Sequence, residues 1–127
     1  MSEIKRVGVA HRWCAAASFG RIAFIGGHTA RETRGLTVTE QTAEVLRLLD
    51  QTLAEIGCTK ADILGAQIIL SNMSMAAEMN EVWDAWVAPG HPPARACVGA
   101  ELGKGLAVEI TATAAVRNQE ASLDGLV

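Results

Sequence analysis

LAVEITATAAV, Leu106 to Val116, alternates more cleanly than any other segment of the chain. Val108, Ile110, Ala112 and Ala114 fall on one face of an extended strand; Glu109, Thr111 and Thr113 fall on the other. The first face suits a core. The second is too small and too apolar for a solvent face.

Working outward, ELGKG reads as a turn and ARACVGA, Ala94 to Ala100, as a strand behind the rigid connector His91–Pro93. Met75, Met79, Val82 and Trp86 form a helical stripe that Pro89-Gly90 ends. ILGAQIIL, Ile63 to Leu70, predicts a central strand buried on both faces. Leu46, Leu49, Leu53 and Ile56 mark another helix, opened by capping-box spacing at Thr37 and Glu40 and stopped by Gly57. RIAFIGG predicts a strand ended by glycines, with VGVA, Val7 to Ala10, before it, and the tail RNQEASLDGLV frays or packs at an edge. The order is strands, helix, strand, helix, strand, strand.

This pattern predicts one α+β domain over residues 1–127, a mixed sheet with two helices packed on one face. The other face, with Thr111, Thr113, Ala66 and Ile68 as its candidates, then needs a cover. Another copy of the chain is the expected one.

Composition narrows the classes of function. The net charge is -3 and the basic residues are scattered, which gives no reason to expect nucleic acid or an anionic membrane as partner. Cys14, Cys58 and Cys97 are odd in number and form no CxxC pair, so a reduced, cytoplasmic setting is expected. His11, His28 and His91 share no metal-ligand spacing, and GxGxxG and GxxxxGK[ST] are both absent. A zinc site from the histidines is thus left open but unsupported.

Two charged residues stand inside apolar strands. Arg95 shares a strand face with Cys97 and Gly99, where small neighbours leave room for a planar anion that a guanidinium grips bidentately. A salt bridge is the alternative. Glu109, between Val108 and Ile110, either faces solvent or orients a water. If the two strands pair as a hairpin, Arg95 and Glu109 approach the same region. Cys97 reads as a wall-forming thiol rather than a nucleophile. Asn80 lies opposite the main stripe of its helix.

HPPARACV, VEITATA and MNEVWDAWV together resemble the reactive intermediate deaminase (RidA, or YjgF) family. RIAFIGGHTA and ILSNMSMAAEMNEVW are similar to further parts of its pattern, and the resemblance runs from Val7 to Ala115. It implies a chorismate-mutase-like fold, a homotrimer with clefts between subunits, and a small carboxylate metabolite as ligand. The implied activity is hydrolysis of 2-imino or 2-enamino acids, such as 2-aminoacrylate, to 2-ketoacids and ammonia. The expectation of no metal and no organic cofactor comes from this implied hydrolytic chemistry. A non-catalytic, small-carboxylate-binding homotrimer is the alternative. The resemblance places the carboxylate-binding arginine on Arg95, the water-positioning glutamate on Glu109, and further substrate-binding positions on Cys97, Asn80 and Gly27. Four positions depart from the family pattern: Trp13 stands for tyrosine, Cys14 for serine, His28 for glutamine and Gly103 for proline. Trp13, Cys14 and His28 are then also expected in the substrate cleft, where a tryptophan wall would fill space that tyrosine offers to a hydroxyl.

Overall fold

The computed structural model describes residues 3–117; all of the tail beyond Arg117 lies outside them. Six strands form one sheet in the order β1-β2-β3-β6-β4-β5. In chain order they are β1 (Lys5–Val9), β2 (Cys14–Phe19), β3 (Ile22–Thr29), β4 (Ile63–Leu70), β5 (Ala94–Gly99) and β6 (Val108–Ala115). Helix α1 (Val38–Ile56) separates β3 from β4, and α2 (Ala76–Trp86) separates β4 from β5. All neighbours are antiparallel except β4 and β5, which run parallel across the α2 connection.

Sequence patterning explains most of this. Thr37 accepts a hydrogen bond from the Glu40 amide, and the Glu40 carboxylate accepts one from the Thr37 amide. This reciprocal pair sets the start of α1. Gly57 ends it in the left-handed region, at φ 92°, where a side chain would be strained. The leucine stripe of α1 packs on the sheet face built by Ala16, Ala23, Ile25, Ile68, Val108, Ile110 and Ala114, and Met79 and Trp83 of α2 join the same core. Both helices therefore cover one face.

Three expectations need correction. β2 was absent from the sequence reading: in CAAASF, alanines occupy both faces, so no alternation shows, and alanine has little strand preference. β5 and β6 do not form a hairpin, because β4 lies between them and pairs with both. Ala66 and Ile68 belong to the helix-covered face, since they pair with Ala112 and Ile110. The bare face takes Gly65 and Gln67 instead, beside Thr113 and Thr111. β4 is thus buried on one face only in the single chain. A register shift near Ile63 and Gly65 leaves Leu64 52% exposed, and Phe24 on β3 is 62% exposed.

Candidate functional site

The strand interrupted by two glycines, β3, makes the site. β3 follows β6 regularly from Ile22 to Ile25, and then the register shifts before His28 pairs with Ile110. The extra residue is a bulge at Gly26-Gly27. A Cβ on Gly27 would sit 2.1 Å from Glu109 Oε2, so the Glu109 carboxylate occupies space that only glycine leaves open. Glu109 itself is half-buried on β6, opposite Thr29.

Beside the bulge opens a cavity of about 640 Å³. Trp13, Cys14, Gly27, His28 and Glu109 all line it, together with Arg31 and the α1 side chains Leu48, Gln51, Thr52 and Glu55. Five of the expected site residues are therefore gathered in one place. Trp13 is 62% exposed and stands as a wall at the mouth.

His28 lines the cavity, but both ring nitrogens are committed. Nδ1 lies 2.7 Å from the Gly26 carbonyl oxygen, which can only accept, so Nδ1 carries the proton. Nε2, 2.8 Å from Thr52 Oγ1, then accepts from the hydroxyl. Burial pushes the imidazole pKa below its usual 6.5, against the Gly26 carbonyl and with help from the nearby Arg31 charge. His28 is thus a neutral structural strut in the wall.

Arg95, Cys97 and Asn80 lie elsewhere. Arg95 pairs across β5–β4 with Ala66 and Cys97 with Ile68, which puts both on the helix-covered face. The Arg95 guanidinium stacks over the Trp83 ring, 5.2 Å from its centroid, and the residue is otherwise exposed at the sheet edge. Stacking leaves the planar fork free to bind an anion. Cys97 packs half-buried against the core. Asn80 is half-buried rather than turned away, and its Oδ1 is fully buried without a hydrogen-bond partner.

Glu109 and Arg95 therefore occupy opposite faces of the sheet. The wall residues Trp13 and Cys14 belong to the β1–β2 end, while Arg95 sits on the opposite edge strand. Four strand steps separate β2 from β5, about 19 Å at ~4.8 Å per step. Glu109, on β6, is two steps from β5, about 10 Å, and on the other face of the sheet, so no small acid touches both within one chain.

The sequence reading missed the α1 side of the cavity and its support. Glu44 is buried, and its carboxylate holds the loop after β3. Oε2 accepts from the amides of Arg31 (3.1 Å) and Glu32 (3.0 Å), and Oε1 accepts from the Thr33 amide (2.9 Å) and hydroxyl (2.6 Å). Burial alone would raise its pKa, but the Thr33 hydroxyl and the three backbone N–H groups outweigh it and bring it to about 2. A signal existed: Gln41, Glu44, Leu48 and Thr52 climb α1 in steps of three and four beside the leucine stripe. Polar residues in such a row face something inside. Cys58 is buried, and burial together with Asp62 pushes its thiol up to about 11, which makes it inert. Among the described residues no three His, Cys, Asp or Glu side chains converge as a metal site, and no helix is long and apolar enough to cross a membrane.

A mixed six-stranded sheet with two helices on one face is an α+β fold of the YjgF type. Comparison with known proteins agrees. The endoribonuclease L-PSP family model matches residues 3–116. A RutC family protein from Haemophilus ducreyi is 37% identical over 117 residues, covering 91% of this chain and 99% of the relative. The RutC family protein YoaB of Escherichia coli is 36% identical over 114 residues, covering 89% and 98%. A YjgF-family crystal structure from Neisseria meningitidis superposes with a TM-score of 0.87 at 44% identity, covering 91% of this chain and 97% of that one. The chain belongs to this family, the endoribonuclease L-PSP or RidA/YjgF family.

Proposed function

We propose that the protein hydrolyses 2-imino and 2-enamino acids to 2-ketoacids and ammonia, in sites completed between the subunits of a homotrimer. One observation carries the reading. An open arginine fork and a seated carboxylate lie on opposite faces of one sheet, so neither is a site without a second copy. The bare face, with Phe24, Leu64, Thr111 and Thr113, offers the surface on which copies assemble. All three cysteines are free, which accords with a reducing cytoplasm.

In this scheme Arg95 of one subunit holds the substrate carboxylate in the cavity of the next. An enamine first takes a proton at C3 and becomes the iminium. Its C2 is already electrophilic and needs no protein nucleophile. Glu109 takes a proton from water as the water oxygen bonds to C2, which gives a carbinolamine. The same carboxyl returns that proton to nitrogen, the C–N bond breaks, and the departing ammonia takes the hydroxyl proton. The ketoacid and ammonium remain. Water is aimed by Glu109 alone, since the His28 nitrogens are taken. The family's ribonuclease name fits this chain less well: the net charge is -3 and the scattered basic residues form no stripe for a phosphate backbone.

Ammonia release from freshly generated 2-aminoacrylate and from larger 2-imino acids tests the reading. Release above the uncatalysed rate is expected. A second reading, ketoacid binding without turnover, draws on Trp13 and His28, which replace hydrogen-bonding groups at the cleft with a wall and a strut. Ketoacid binding with no ammonia release from any substrate would select it.

A further inference from the structure

Arg31 is a cation at the cavity that neither the family resemblance nor the hydrolytic scheme uses. It lines the cavity, and its charge is felt at the His28 imidazole. Its guanidinium makes no hydrogen bond or ion pair among the described residues. Its backbone, by contrast, is fixed. The Glu44 carboxylate, itself buried, accepts from the amides of residues 31, 32 and 33. So firm an anchor removes the backbone's share of the ordering cost and leaves only the side chain's own.

The anchor of Arg31 and the acidic Glu55 meet the α1 wall at different levels. The wall on α1 runs from Leu48, one turn beyond Glu44, to Glu55. Glu55 lies about 16 Å further along the helix than Glu44, at ~1.5 Å per residue. The backbone anchor of Arg31 thus lies well along the helix from Glu55, while its charge reaches the His28 imidazole. The open cavity of the single chain has about 640 Å³, part of which the second copy fills in the proposed assembly.

We propose that Arg31, pinned by Glu44, pairs with a second carboxylate at the far end of the substrate, so that the preferred ligands are 2-imino and 2-keto dicarboxylic acids. This rests on the reading that the cavity takes 2-imino or 2-keto acids. Arg31 is the specificity-determining residue and Glu44 a positioning residue.

Calorimetric titration of the intact assembly with 2-oxoglutarate and with 2-ketobutyrate tests it, the readout being the ratio of the two affinities. In the native protein 2-oxoglutarate should bind about tenfold tighter or more, as expected for a charge-assisted pair. Arg31→Gln should bring the ratio close to one, and Arg31→Lys should restore part of it. Glu44→Gln should lower the ratio severalfold; a merely structural role would weaken both ligands together. Equal native affinities, or an unchanged ratio in Arg31→Gln, overturn the proposal. An unchanged ratio in Glu44→Gln overturns the pinning. Arg95-dependent binding of 2-ketobutyrate without a dicarboxylate preference removes this inference and leaves the proposed function standing. Binding of neither acid overturns both. Arg31 is exposed, so its variants should fold even if Glu44→Gln does not.

Discussion

Gly27 and Glu109 are one device in two residues. The carboxylate sits where a Cβ on residue 27 would be, and its contact atom is the mobile end of a side chain rather than backbone. Gly27→Ala should therefore displace the carboxylate without unfolding the bulge. Its ammonia release should fall as far as that of Glu109→Gln, roughly 10² to 10⁴ below native for a lost general base. Ketoacid affinity in Glu109→Gln should change much less, because the proposed scheme gives the carboxylate to Arg95. Thermal melts and turnover on the same preparations check this; native-like turnover in either variant removes Glu109 from the chemistry. Arg95 makes a complementary prediction. Arg95→Ala should weaken ketoacid binding by about 2 to 5 kcal/mol, and Arg95→Lys should recover little, since an ammonium offers no fork. Titration with pyruvate reads both. These two residues were legible as charges inside apolar strands. Their separation was not, because alternation gives the face of a side chain within its strand but not which strand lies beside it.

Helix α1 carries two kinds of information, and only one was plain. Its leucine stripe and its caps announce themselves by spacing. Glu44 shows only as one of a polar row beside that stripe, and its partners, the amides of a loop with no pattern of its own, do not show at all. Its effect on stability has a definite sign. A carboxylate lowered from 4.5 to about 2 stabilises the fold fully above 4.5 and ceases to as the pH falls through about 2. Urea midpoints should therefore drop between pH 4.5 and 2 in the native protein, and Glu44→Gln should start lower and fall less over the same interval. Parallel pH curves for the two proteins would mean that the carboxylate is not held as described. Strand β2 shows the opposite limit of legibility. Its Ala16 and Ser18 are buried, but a run of small residues carries no periodic signal, and its pairing with β1 and β3 defines it. The bulge beside it was visible as Gly26-Gly27, though as a strand end rather than a strand that continues to Thr29.

At the scale of the molecule, the bare sheet face was foreseen from the threonines of β6, and β6 does show them. Half of its predicted members belonged to the other side, because the irregularity at Ile63/Gly65 changes which β4 residues face out. Light scattering at micromolar protein should give a mass near three chains, and Thr113→Arg, which sets a charge on that face, should lower it. A mass of one chain in the native protein would refute assembly through this surface. The opposed placement of Arg95 and Glu109 has a genetic consequence. Arg95→Ala and Glu109→Gln subunits should each form dead trimers, yet complement one another when co-expressed. In randomly mixed rings at equal dosage, about a quarter of the clefts would join an intact arginine to an intact glutamate. Ammonia release should return to about a quarter of native, a recovery that two lesions within a single self-contained site could never give.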